Sequence, residues 1–148
     1  MNVKPLSFKV VGIPVPQGSK TAFMVKGRPV LVEAAKGHRL WRSAISHEAL
    51  LHMEGREMFA GPVQLELTFE MPRLKRHFRP DGTVKASAPK YVSTNPDLSK
   101  LVRNVEDGLQ AIVFRNDSQV AKIICSKVYA DREPGVTIVV RPLPVRPE

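Results

Sequence analysis

The sequence predicts an α+β fold in which a small mixed sheet of about four strands packs against two helices, in the order β-α-β-loop-α-β-β. Three observations lead there. Val63 to Met71 alternates strictly between apolar and polar residues, the two-residue period of a half-buried strand. Two stretches, 37–54 and 98–112, repeat apolar residues at helical spacing, and the runs 6–13, 120–129 and 135–141 are short, apolar and bounded by turn residues.

Leu6 to Ile13 reads as the first strand, with Phe8 and Val10 on one face, Ser7 and Lys9 on the other, and Pro14 as its stop. The stretch from Pro14 to Lys20 holds two prolines that cannot donate to a central ladder, a flexible Gly18 and Lys20, and reads as a loop. From Gly37 to Glu54, Leu40, Trp41, Ala44, Ile45, Ala49 and Leu51 recur at helical spacing and are expected on the buried face. Gly61-Pro62 introduces the next strand, where Val63, Leu65, Leu67, Phe69 and Met71 are expected to face the core and Gln64, Glu66, Thr68 and Glu70 to face water. Residues 73–93 read as a basic mobile loop carrying Arg73, Lys75, Arg76, Arg79, Lys85 and Lys90 against one acid, Asp81. Pro96 suits the start of a second helix, Leu98 to Ile112, with Leu98, Leu101, Val102, Val105, Leu109 and Ile112 inward. Val120–Tyr129 and Gly135–Arg141 read as two strands joined by a turn over Ala130–Pro134, and 142–148 as a frayed tail.

A chain of 148 residues that is 43% hydrophobic is expected to form one domain, 1–148, with an ordinary core. The lone Cys125, beside Ile123 and Ile124, is expected to be a buried, reduced thiol, which places the protein in the cytoplasm. No membrane-length apolar run and no signal-peptide pattern is present. The 23 Lys and Arg residues against 14 Asp and Glu give a net +9, a field that draws in polyanions. Charge alone also admits an RNA-binding or ribosome-associated protein, a weaker reading.

The sequence has no Gly-rich phosphate loop, no zinc-type Cys/His spacing and no Ser-His-Asp arrangement, and no small-molecule cofactor is expected. His38, His47, His52 and His77 are scattered and read as surface or packed residues. What remains is carboxylates among basic side chains, the combination that phosphodiester chemistry uses. Mg²⁺, with Mn²⁺ as substitute, takes oxygen ligands and bridges carboxylates to a phosphate, while a basic residue steadies the leaving oxygen. Asp97 falls at a helix start and Asp117 in the turn before a strand. Each also has an ordinary reading: Asp97 as N-cap, Asp117 as turn residue, and Asp107 as ion-pair partner of Arg103 one helical turn earlier.

From Asn95 to Lys127 the sequence resembles the RusA-type Holliday-junction resolvases, common in bacteria and their phages. The resemblance rests on Pro96-Asp97-Leu98-Ser99-Lys100-Leu101, Arg103, Asp107-Gly108-Leu109, Asn116-Asp117-Ser118-Gln119-Val120 and Lys127. The Pro14 to Lys20 segment and Trp41-Arg42 are similar to the family more loosely. The resemblance implies a homodimeric, Mg²⁺-dependent endonuclease that nicks branched DNA symmetrically at four-way junctions in recombination and repair. Carried over by position, Asp97 and Asp117 match metal-binding aspartates, and Arg103 stands where the family has a lysine. Ser99 and Asn116 stand where it has further aspartates, and the rival reading takes these as marks of a catalytically reduced DNA-binding module.

Glu106 lies seven residues past Ser99 and returns to nearly the same helix face, about 10 Å along the axis, so it is the candidate to replace the missing carboxylate as a metal ligand. Asp107, about 15 Å of helical rise from Asp97, is expected in an outer-shell position around the metal. Arg103 keeps the positive charge but not a titrating amine, so phosphate clamping is its expected task. Lys20, Arg73, Lys75, Arg76, Arg79, Lys100 and Lys127 are expected to contact the DNA backbone, with a solvated surface charge as the ordinary alternative for each.

Overall fold

A computed structural model describes residues 3–18, 20–33 and 37–146, with side chains described outside 19–25 and 28–36. Along the chain run β1 (Leu6–Val11), β2 (Lys20–Val25), β3 (Arg28–Glu33), α1 (His38–His52), β4 (Val63–Met71), α2 (Leu98–Leu109), β5 (Val120–Tyr129) and β6 (Gly135–Pro142). A four-stranded mixed sheet takes the order β1-β6-β4-β5, with β2 and β3 in a separate two-stranded sheet. The family-like α+β architecture expected from the sequence is present, with one addition. The β2–β3 hairpin turns through Lys26-Gly27, both at positive φ (51° and 76°), as a two-residue hairpin turn requires. Lys-Gly lacks the Asn-Gly or Asp-Gly signature that would mark such a turn in sequence.

The alternation seen in Val63–Met71 makes β4 the central strand, parallel to β5 on one side and antiparallel to β6 on the other. Leu65, Leu67 and Phe69 are buried beside Leu6, Phe8 and Val10 of β1 and Val136, Ile138 and Val140 of β6. Each such side chain contributes about 1.5–3 kcal/mol by leaving water. Trp41, Ile45 and Ala49 of α1 and Leu101, Val105 and Leu109 of α2 join the same core, so both helices cover this face of the sheet. The opposite face of β4 is not simply wet. Gln64 is buried and donates to Glu66 Oε1 (2.7 Å), Arg141 Nε donates to the same oxygen (3.0 Å), and Lys9 pairs with Glu70 (3.6 Å).

Several sequence expectations change in detail. β1 ends at Val11, not Ile13, because Gly12 (φ 143°) leaves the ladder and its N–H donates to Pro134 O (3.0 Å). In α1 the inward stripe is His38, Trp41, Ile45 and Ala49, a three-and-four spacing that turns Leu40 (79% exposed) and Leu51 (54%) outward. α2 stops at Leu109, and Ile112 lies in the following turn, packed partly against the core. Cys125 is half-buried and not enclosed, because β5 is an edge strand whose neighbouring Ile123 and Ile124 are exposed. Burial still pushes the Cys125 thiol above its ordinary pKa.

The basic 73–93 segment carries backbone order of its own. Lys75–His77 form a 3₁₀ turn, Arg79 and Lys85 donate backbone N–H bonds to Thr83 O and His77 O (2.7 and 2.8 Å), and Val92 N–H reaches Lys127 O (3.0 Å) along β5. Among the described residues no helix is long and apolar enough to cross a membrane.

Candidate active site

α2 carries the acidic residues, and two different neighbourhoods form at its two ends. At the N-terminal end Asp97 occupies the N-cap position in extended conformation (φ −66°, ψ 133°), yet its side chain makes no capping hydrogen bond. Its Oδ2 lies 3.6 Å from Lys100 Nζ, with the carboxylate side chain 57% exposed. The ordinary N-cap explanation of Asp97 therefore accounts for its backbone and not for its carboxylate. Lys127 reaches across from β5 and donates to Thr94 O and Pro96 O, both at 2.6 Å, tying down the chain that enters the helix. Asp97, Ser99, Asn95, Ser126, Lys127 and Tyr91 line an open cavity of about 710 Å³ here.

Toward the other end, Glu106 is half-buried on α2, and Asp117 stands in the 3₁₀ turn Asp117–Gln119 that precedes β5, near enough for its charge to act on Glu106. That turn is held by its neighbours. Asn116 Oδ1 accepts from Ser118 N–H (3.0 Å), while Gln119 Oε1 accepts from the N–H groups of Arg115 and Asn116 (2.9 and 3.1 Å). Gln119 Nε2 donates to Phe59 O and Gly61 O (2.8 and 2.9 Å), which anchors the turn to the chain before β4. Burial pushes the Glu106 carboxyl above its ordinary pKa, the negative charge of Asp117 adds to this, Arg103 opposes it, and Asp107 raises it further. Glu106, Asp117, Asp107 and Arg103 therefore share one electrostatic neighbourhood.

Asp97 is not in that neighbourhood. Nine residues separate it from Glu106, on the order of 13 Å of helical rise. Among the described residues no group of three or more His, Cys, Asp or Glu side chains is placed to hold a metal ion by itself. Mg²⁺ commonly takes one or two carboxylates and completes its octahedron with water and substrate phosphate oxygens. Glu106 and Asp117 fit that demand: hard oxygen donors, in a partly desolvated place where their charges repel and a divalent cation would relieve both.

The basic residues divide by partner. The Arg73 side chain is 9% exposed near Asp131; it donates to Pro89 O (2.9 Å) and lies 5.5 Å from the centre of the Tyr129 ring. Arg79 donates to Thr83 Oγ1 and Val84 O (3.3 and 3.1 Å), whereas Lys75 and Arg76 are exposed on the 3₁₀ turn. Lys20 begins β2, and its side chain lies outside the described ones. Asp107 accepts from Gln17 Nε2 at 2.9 Å, which gives it a partner other than the Arg103 considered from sequence. Buried Asn104, on α2, donates to Val15 O and His38 O (3.0 and 3.1 Å) and accepts from Arg42 Nε (3.1 Å). Sequence reasoning gave no role of their own to Gln17, Asn104 and Gln119, the last quoted only within a motif, since amides in a loop, on a helix and within a turn carry no local signal of the partners they reach.

The family described as "Endodeoxyribonuclease RusA" matches residues 12–141. An uncharacterized protein, YqaN, of Bacillus subtilis is 27% identical over 139 residues, covering 92% of this chain and 95% of the relative.

Proposed function

The chain belongs to the RusA endodeoxyribonucleases, hydrolases that act as Holliday-junction resolvases, and from that premise we propose that it nicks four-way DNA junctions with Mg²⁺ held at Glu106 and Asp117. The observation that carries this reading is the half-buried Glu106 of α2 lying within the field of Asp117, which the 3₁₀ turn before β5 presents from a separate element. Mg²⁺, or Mn²⁺ in its place, supplies charge neutralisation at the phosphate and activation of the attacking water.

The protein's own residues do the rest. Asp117 is presented by a turn locked through Asn116 and Gln119, so its carboxylate would need little reorganisation to hold the cation that meets the phosphate. Arg103, exposed one turn before Glu106, clamps the phosphate without exchanging a proton. Asp107 stays in the outer shell. From the N-terminal end of α2 Asp97 orients Lys100, 3.6 Å away, toward the bound strand, because helical rise of roughly 13 Å keeps its carboxylate from gripping the same ion as Glu106. Lys75, Arg76, Lys100 and Lys20, with the internally bonded Arg73, Arg79 and Lys127 in smaller part, contact the DNA backbone, whose shape and not base sequence marks a junction. Two symmetric cuts on a two-fold substrate require a homodimer, and the reaction belongs to recombination and repair in the cytoplasm.

The test is nicking of a synthetic four-way junction in Mg²⁺. Asp117→Asn is expected to lower the rate by at least about 10²-fold, the scale on which one electrostatic contact to developing charge acts, and Asp97→Asn by less, with junction binding retained in both. Ser99, standing beside Asp97 without a carboxylate, favours the second reading, a catalytically reduced DNA-binding module of the same fold. Tight junction binding by the wild-type protein with no nicking in Mg²⁺ or Mn²⁺ would establish that second reading.

A further inference from the structure

We propose that Gln17 is a positioning residue for the acidic cluster, holding the Asp107 carboxylate from a loop 90 positions away in sequence. The assignment deepens the reading of Glu106 and Asp117 as the metal-holding pair, with Asp107 in the outer shell, and rests on it. Gln17 makes two bonds to α2. Its side-chain Nε2 donates to Asp107 Oδ2 (2.9 Å), and its backbone N–H donates to Lys100 O (3.0 Å). Lys100 and Asp107 are seven residues apart, so they lie within about 20° of one direction on the helix. The loop between β1 and β2 therefore lies lengthwise on one strip of α2, the strip that also carries Arg103.

The loop is built to stay there. Pro14 is buried, Pro16 fixes a second φ, and Asn104 Nδ2 holds Val15 O at 3.0 Å. An amide suits the task chemically. It donates to an ionised carboxylate and orients it without cancelling its charge, which a lysine or arginine at the same place would do. A donor behind an outer-shell carboxylate fixes its rotamer, and with it the shell around the ion, in this way. Gln17 itself touches neither ion nor DNA in this assignment.

Calorimetric Mn²⁺ titration and single-turnover nicking of a four-way junction test it, in wild type, Gln17→Leu, Asp107→Asn and the double variant. Gln17→Leu is expected to weaken Mn²⁺ binding about 10–100-fold and to slow nicking by a similar factor, with the junction dissociation constant unchanged. The double variant is expected to be no worse than Asp107→Asn, since both changes remove one interaction. The backbone bond to Lys100 survives the substitution, so amide protection at residue 17 reports whether the loop stays docked. Gln17→Asn, one methylene shorter, is expected to give the same loss and serves if the leucine variant does not fold. Unchanged Mn²⁺ affinity in a folded Gln17 variant, or losses that multiply in the double variant, overturns the assignment while leaving the enzymatic reading intact. A wild-type protein that neither binds Mn²⁺ nor nicks the junction overturns the enzymatic reading and this assignment with it.

Discussion

Asn116 stands where the family has an aspartate, and its side-chain oxygen accepts the Ser118 N–H that an aspartate would accept equally well. The turn therefore survives the loss of that carboxylate, and what changes is only the charge next to Asp117. Restoring it by Asn116→Asp should leave thermal stability almost unchanged and tighten Mn²⁺ binding several-fold; weaker Mn²⁺ binding in that variant would place residue 116 outside the metal's field. His77 is a residue-scale case of a different kind. It is buried against Tyr129, with ring centres 4.7 Å apart, and its Nδ1 accepts from Leu74 N–H (3.2 Å), so the neutral ring is the one that fits. Burial holds its pKa below the ordinary value, and Arg76, Arg73 and Lys85 push it the same way. The unfolded chain takes up this proton near pH 6.5 or so and the folded chain only at lower pH, so stability falls as pH drops through that window and is full above it. The protection factor of the Leu74 amide should fall as pH drops from about 7 to about 5, and His77→Gln should remove that pH dependence.

At the scale of elements, everything functional depends on how α2 sits against α1. Gly108 is the close approach: a methyl group there would meet Ile45 Cγ2 at 3.0 Å and Arg42 O at 3.3 Å, and Gly108 O accepts from Ser46 Oγ (2.8 Å). Gly108→Val should cost about 1–3 kcal/mol through overpacking and a β-branched side chain in a helix. Chemical denaturation would show it, and a variant as stable as wild type would mean that the helices separate freely. Asn104→Leu should cost a similar amount, on the order of 1–3 kcal/mol, because Val15 O and His38 O lose their donor inside the core. Unlike Gly108→Val, it should also weaken the docking of the β1–β2 loop, read as lost amide protection at Gln17.

For the whole molecule, the net charge of +9 is spread over surfaces that differ in availability. Arg73 is engaged internally, while Lys75 and Arg76 are exposed. Replacing both with alanine should weaken junction binding at low salt and reduce the slope of log K against log salt by roughly 0.9 per lost phosphate contact. The same change at Arg73 should instead lower stability, through the bond to Pro89 and the stacking on Tyr129. An unchanged salt slope in the Lys75, Arg76 variant would remove that loop from the DNA-binding surface.

The sequence by itself determined the class of fold, most strand and helix boundaries, and the acidic residues worth attention, because hydrophobic period and motif spacing are local properties. Only the tertiary structure decided which of those residues are neighbours. Asp97 and Glu106 sit on one helix, yet Asp97 falls in with Ser99 and Lys127, while Glu106 falls in with Asp117, which arrives from another element. The β2–β3 hairpin, the outward turn of Leu40 and the grip of Gln17 on Asp107 were decided at the same level. The physical reason is common to them: a side chain's partner is set by where two elements pack, and the packing is chosen by the whole buried core and not by the residues on either side.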